Sequence, residues 1–412
     1  MSDAPARAPL KALDAALAEL LAHAQPLGRT EAVDTFDADG RVLAQEVVSE
    51  LHVPPQDNSA MDGYAVRTAE VREPGVVLQV TQRIPAGSAG RPLEALSAAR
   101  IFTGAPVPPG ADAIVMQEDA TAVNECEGGV RLNTVPAPGQ WIRRAGEDVA
   151  RGAVVLRQGQ RLGPAELGLA ASVGMGALQV AARPRVALFS TGDELVMPGS
   201  VSPAQMSPGA IYNSNRFFLR ALLLRLGCAV TDFGIVPDQR EATLQALREA
   251  AAGHDLILTS GGVSVGEEDH IKPAVQALGS LDLWQIAIKP GKPFAYGKVG
   301  AAHFMGLPGN PVSSFVTFLL LVRPFLLRLQ GTASIAWPAQ TLTAHFDWPR
   351  PDKRREFLRV RRNAQGGLDL YPNQSSGVLT SAVWADGLVD NPPGQAIRQG
   401  DAVRFVALSD LL

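Results

Sequence analysis

Cysteine and histidine are scarce: the 412 residues include two Cys and six His. Cys126 and Cys228 stand in unrelated contexts with no CxxC, which offers neither a disulfide framework nor a Cys/His zinc site. A charge excess of one sign is also missing. The 37 basic and 41 acidic residues leave a net charge of −4 with no long run of like charge, which excludes a strongly basic nucleic-acid binder. The longest apolar run, Phe315 to Val322, stops at Arg323 and Pro324, short of a bilayer span. The N-terminus lacks the basic region and apolar stretch of a secretory signal. Together these absences predict a soluble cytoplasmic protein with no nucleic-acid or membrane partner. Hydrophobic residues make up 46%, enough for packed cores across two to four domains. The 40 Gly and 31 Pro are spread without a period, so the chain is loop-rich but globular.

Leu10, Leu13, Leu17, Leu20 and Leu21 recur at helical spacing and predict a helix over 9–24. Between about 50 and 144, short apolar runs broken by Gly and Pro predict a small, mostly β module. Gly163-Pro164-Ala165-Glu166 opens a helix that ends near Gly174. From residue 183 the rhythm is regular. Strands over 185–189, 229–233, 255–259, 283–288 and 302–305 alternate with helices over 215–226 and 238–252, a short helix after Asp269, and a long one from Asn310-Pro311 to Leu329. That alternation predicts an α/β, doubly wound, mostly parallel sheet with ligands beyond the carboxyl ends of its strands. After Gly331 it gives way to strand-like 356–361, 368–371 and 402–408, a separate small β domain. The expected division is 9–50 with 145–182, 51–144, 183–330 and 331–412.

Lysine is rare in this chain, at six against 31 Arg, yet Lys289, Lys292 and Lys298 fall within ten residues. A compact cation on a Pro-stiffened segment suits phosphate, although a solvated turn has the same appearance. Ser260–Gly266 follows a strand, and Gly306-Leu-Pro-Gly309-Asn-Pro311 precedes a helix. Backbone amides at such places hold oxyanions, whereas a single loop of this kind needs its glycines only to turn. Glu194, Asp238 and Asp269 follow predicted strands, where converging carboxylates suit Mg²⁺; Asp238 and Asp269 also fit as ordinary N-caps. Gly262-Val263-Ser264-Val265-Gly266 fits GxSxG, but Ser264 lies five residues beyond the strand end at Thr259, and the elbow needs an abrupt turn. His303, the best-placed downstream base, sits inside a predicted strand as a packed residue.

The segments NSAMDGYA, FTGAPVP, IRRAGED, FSTGDEL, SGGVSVGEED, IKPGKPFAYGK and LPGNPVS occur in one order. In that order they resemble the molybdopterin molybdenumtransferases of the bacterial MoeA type, related to the E domain of gephyrin. The resemblance runs from about residue 10 to 410, with EFLRVR and QSSGVLTSAVWADGLV as weaker tail motifs; Asp386 stands where Asn is expected. It implies four domains, with a molybdopterin-binding-like α/β sheet, an inserted β module and a C-terminal small β-barrel domain. It implies insertion of molybdate into molybdopterin, with Mg²⁺-dependent cleavage of adenylyl-molybdopterin to AMP. An elongated homodimer would share its active site between the α/β domain of one subunit and the β module of the other. An upstream molybdopterin adenylyltransferase and recipient molybdoenzymes would be partners.

Carried over residue by residue, Asp62, Thr103, Asp148, Glu194, Asp238 and Asp269 form the polar active-site set, with Glu194 and Asp269 as the metal candidates. Ser260, Gly261, Gly262, Ser264, Lys289, Lys292, Pro308 and Pro311 would hold the cofactor substrate. A scaffold on the same dimer fold and a nucleotide-binding hydrolase without molybdenum chemistry are the competing readings.

Asp269 allows these roles to be separated, because Asn caps a helix well but is a poorer, uncharged metal ligand. Asp269→Asn should unfold at a near-native temperature yet lose most molybdate-dependent AMP release. A capping role predicts instead a nearly silent Asn and an Ala variant that costs ~1 kcal/mol. Thermal unfolding and turnover on the same variant decide.

Overall fold

The computed structural model describes residues 10–123, 128–262 and 270–411; Cys126, Ser264 and Asp269 lie outside them. At its centre are six strands: β1 (Arg185–Thr191), β2 (Ala229–Val236), β3 (Leu256–Ser260), β4 (Gly279–Gln285), β5 (Pro293–Val299) and β6 (Ala302–Leu307). Their spatial order is β2-β1-β3-β6-β5-β4. The first four are parallel, and β5 and β4 complete the edge antiparallel.

Alternation along the central strands explains the two covered faces. Val186, Leu188, Leu256, Leu258, Met305 and Leu307 point into one cluster with Leu219, Leu222 and Leu223 of helix Asn215–Arg225 and with the helical stretch Pro311–Leu329. Ala187, Phe189, Ile257 and Phe304 point the other way, against helices Arg240–Gly253 and Ile271–Leu278. Strands buried on both faces read as continuous apolar runs, which is why RVALF and DLILT stand out. The first helix, Leu13–His23, joins the former face through Leu13, Ala16 and Leu20.

Several local expectations need correction. Asp238 is not an N-cap: the helix after β2 starts at Arg240 behind Gln239, while the cap expected at Asp269 lies outside the described residues. The segment 293–299, read as part of a phosphate-suited lysine segment or a solvated turn and not as a strand, is β5. Its Phe294, Ala295 and Tyr296 are buried, and Gly297 leaves room for the backbone of Ser280 opposite. The long helix is interrupted by a π turn at Phe318–Val322 before it continues as Arg323–Leu329. Pro324 has no N–H to offer a preceding carbonyl, and widening the turn is how the helix passes it. By length and hydropathy (19 residues, 1.7) Pro311–Leu329 matches a membrane span, yet 89% of its apolar window is buried in the protein. It is the core helix of this fold.

Elsewhere, Thr30–Asp34 pairs with Ala177–Ala181, and Val47–Val48 with Val154–Leu156, so two segments far apart in sequence build one unit around Leu43, Leu156 and Leu178. Strands between Gly63 and Leu132 form a six-stranded sheet with a hydrophobic cluster on each side. A further sheet from Gln340 to Ala407 makes the C-terminal β domain; Ile288–Lys289 adds to its edge, parallel to Arg355–Glu356.

His303 is a packed strand residue, as its position in the sequence suggests. Its Nδ1 lies 2.9 Å from the Tyr296 hydroxyl, and its ring meets Phe325 edge-on. Burial first, then Lys298 and His23, lower its pKa from 6.5 to about 4. As pH falls, the unfolded chain takes up this proton before the folded one. The His303 contribution to stability is therefore intact above about 6.5 and is lost progressively toward 4. The unfolding temperature should fall across that window, with a shallower slope in His303→Asn. Equal slopes in thermal scans would remove His303 as a cause.

Candidate functional site

At the carboxyl ends of β1, β3 and β6 the chain opens a cleft of ≈ 630 Å³. Its walls include Thr191, Glu194, Asn213, Asn215, Ser260 and Gly261, with Gly309, Asn310, Pro311 and Gly377 closing the far side. Gly261 lets the strand ends converge. Its φ is +93°, a Cβ there would lie 2.8 Å from the Thr191 carbonyl oxygen, and its N–H donates to Leu307 O at 3.1 Å. Asn215 ties the same ends together, its amide donating to Ser260 Oγ and to Gly309 O, each at 2.7 Å. Gly192, at φ +140°, allows Glu194 to fold back, its carboxylate 2.5 Å from the place a Cβ would occupy. Among the described lining residues Glu194 is the sole carboxylate.

Asn213 is 1% exposed; its Oδ1 accepts the Arg216 N–H at 3.3 Å, and its Nδ2 has no partner. Ser190 Oγ and Thr259 Oγ1 on β1 and β3 are likewise buried and unpaired. Of the three, Asn213 lines the cleft, where a desolvated donor without a partner is costly.

The helix start supplies less than its sequence suggests. Pro311 has no N–H, and the Val312 N–H already donates to Ser376 O at 2.9 Å. The helix start therefore has fewer free donors to offer the cleft than its sequence suggests. Lys289 is likewise engaged. Its Nζ lies 3.2 Å from Glu356, which is fully buried, and 3.5 Å from Asp352. Hydrogen bonds from Arg354 hold the Asp352 carboxyl well below the usual carboxylate range. Lys289 thus fastens the KPGKP segment to the C-terminal sheet. Between the lysines, Gly291 (φ +110°) lies where a Cβ would clash with Thr317 Oγ1. Among the described residues, no side-chain hydrogen bond or ion pair engages Lys292.

In the β module Asp62 and Thr103 come together: Asp62 Oδ1 accepts both the N–H and the hydroxyl of Thr103 at 2.8 Å. Those bonds keep the partly exposed Asp62 carboxyl below its ordinary pKa. Asp148 is exposed, and its N–H donates to Val53 O at 3.0 Å. Within one chain the cleft brings together Glu194, Ser260, Gly261 and Pro311; Asp62, Thr103, Asp148, Asp238, Gly262, Lys289, Lys292 and Pro308 do not line it. Ser264 and Asp269 fall outside the described residues. Asn213, Asn215 and the tail residues Ser376 and Gly377 were missed from the sequence; Asn213-Ser214-Asn215 ahead of the apolar run RFFLRALLL was the available signal. Among the described residues no group of three or more His, Cys, Asp or Glu is placed to hold a metal ion.

Three family models match the chain: "MoeA N-terminal region (domain I and II)" over residues 11–174, "Probable molybdopterin binding domain" over 187–328, and "MoeA C-terminal region (domain IV)" over 341–408. A molybdopterin molybdenumtransferase of Haemophilus influenzae is 44% identical over 323 residues, 77% of this chain and 78% of that one. Molybdopterin molybdenumtransferase 2 of Mycobacterium tuberculosis is 38% identical over 394 residues, 91% and 93% of the two chains. A solved molybdopterin biosynthesis MoeA protein of Pyrococcus horikoshii OT3 superposes with a TM-score of 0.83 at 27% identity, covering 97% of this chain and 100% of its own.

The two lysines should separate by experiment. Lys289→Ala leaves buried Glu356 without its cation and should lower stability by roughly 1 kcal/mol, while Lys292→Ala should leave it unchanged. Denaturant unfolding of both variants checks this; equal midpoints would mean that the Lys289–Glu356 contact adds nothing.

Proposed function

The chain belongs to the molybdopterin molybdenumtransferase (MoeA) family, and from that premise we propose how its cleft performs the reaction. It is an enzyme of molybdenum cofactor assembly that acts on molybdopterin. The reading proposed here is that it takes adenylyl-molybdopterin and molybdate, opens the phosphoanhydride to release AMP, and leaves molybdenum on the dithiolene. The observation that carries this reading is Asn213, buried with its Nδ2 unpaired in the wall of the cleft that the glycine-forced turn at Gly261 also lines.

Each group has work it can do. Ser260 Oγ accepts from Asn215, which leaves its own proton free to donate to a ligand oxygen. Asn213 Nδ2 offers two further donors. Donors fixed before the reaction stabilise charge as it develops on phosphoryl oxygens. Lys292, free of internal partners, is the mobile cation for the same charge.

Glu194 fits Mg²⁺ in type, since a hard cation takes carboxylate oxygen, and Asp269 is the second carboxylate proposed. When bound, the ion would offset negative charge on the departing AMP.

Asp62 and Thr103 are absent from the cleft of their own chain, which supports a homodimer whose site takes the β module from the second subunit. The cytoplasm is the proposed location, with an adenylyltransferase upstream and apo-molybdoenzymes downstream. If the site is shared, mixing Asp62→Ala with Glu194→Ala chains should restore activity in heterodimers, because one of their two sites is intact. AMP release, with and without molybdate, is the readout. Heterodimers no more active than either parent would end the shared-site reading. Release indifferent to molybdate would favour a plain hydrolase, and no release a scaffold.

A further inference from the structure

At the far end of the Pro311–Leu329 helix from the cleft lies a second concavity of ≈ 430 Å³. One wall is the loop 157–161; the other is formed by Arg323 and Leu327 of the helix and by 332–334. The walls are fixed to each other. Gly159, at φ +79°, passes so close that a Cβ would lie 2.8 Å from Gly331 O, and the Ala333 N–H donates to Gly159 O at 2.9 Å.

Three guanidinium groups line this space, from Arg157, Arg161 and Arg323, with no carboxylate among the lining residues. Their bonds go to neutral carbonyls. Arg323, 8% exposed, donates to Leu411 O at 3.0 Å and to Ile335 O and Asp410 O at 3.4 Å; Arg161 donates to Arg225 O at 2.7 Å. Arg157 has no side-chain partner among the described residues. Each guanidinium carries five N–H donors, so donors remain after these bonds, and among the described residues no carboxylate pairs with any of the three, of which Arg157 is exposed. The strain of that arrangement registers at Arg323, whose pKa is lowered by burial first and by Arg161 second. Thr332 Oγ1 on the same wall is buried without a partner. Holding carbonyls at helix and chain ends accounts for Arg161 and Arg323. It accounts for neither Arg157 nor the orphan Thr332 hydroxyl.

We propose that this junction is a second anion site, built for the phosphate group of a small phosphorylated molecule, which Arg157, Arg161 and Arg323 would neutralise while Thr332 donates to one oxygen. Guanidinium forks match tetrahedral oxyanions, and the volume falls within the range of small-molecule pockets, above what a bare oxyanion fills. The site shares no lining residue with the cleft at β1, β3 and β6. It does not depend on the reaction proposed there.

Because that cleft also takes oxyanions, the test must resolve the two sites. Crystals of the full-length protein soaked with tungstate at low ionic strength should show anomalous density between Arg161 and Arg323. Arg157→Gln, and Arg161→Gln combined with it, should lose that peak while keeping the one at the Gly261 loop. In solution, titration of inorganic phosphate and of AMP should be weakened roughly tenfold at this site in Arg157→Gln. Thr332→Val should unfold no earlier than wild type, since it removes an unpaired buried hydroxyl, and yet bind more weakly. Markedly tighter AMP than phosphate supports a phosphomonoester ligand; AMP no tighter than phosphate overturns it in favour of a bare oxyanion. No density at the arginines in the wild-type crystal, or binding unchanged in Arg157→Gln, overturns the proposal and leaves the arginines as anchors for chain ends.

Discussion

One buried amide organises the functional end of this molecule. Asn215 Nδ2 bridges Ser260 at the end of β3 and Gly309 beyond β6, and it does so from the first turn of the helix that follows β1. Parallel strands splay at their carboxyl ends because the sheet twists. A side chain that links two of those ends from a third element sets the width of the opening between them. Gly261 meets the same demand in the backbone, where only a residue without Cβ clears the Thr191 carbonyl. Asn213, buried with its Nδ2 unpaired, lines the same opening.

A second constraint is the docking of the C-terminal sheet. Ser376 O accepts the Val312 N–H at the start of the core helix, and Lys289 reaches from the central segment to buried Glu356. Glu356 also accepts from Trp348 Nε1 at 2.7 Å and from the Asp352 N–H at 3.1 Å, so one carboxylate gathers three separate segments. Two sequence motifs that read as phosphate ligands thus give part of their donor capacity to joining domains. The tail in return supplies Gly377 to the cleft.

The order of elements from 185 to 329 was legible because apolar runs, glycine turns and helical spacing all agreed there. The motifs that carry the family resemblance placed Glu194, Ser260, Gly261 and Pro311 in one cleft. What stayed hidden depends on partners distant in sequence. Nothing local to Lys289 announces Glu356, 67 residues away, and nothing local to Asn213 shows that its amide would be buried unpaired. Strand β5 was obscured by its lysines and prolines, since its burial comes from β4 and β6 on either side. The cap assigned to Asp238 missed by one residue, an error to which helix boundaries read from sequence are prone.

The core helix also bears on how the chain is made. Phe318, Leu319, Leu320 and Phe325 share one hydrophobic cluster with Phe357, Leu388, Val406 and Leu411, all of which are synthesised later. During translation the greasiest stretch of the protein therefore leaves the ribosome before a substantial part of its cover exists. The interval is short in residues but long in exposure, and a ribosome stalled within it would display a segment that resembles a membrane anchor.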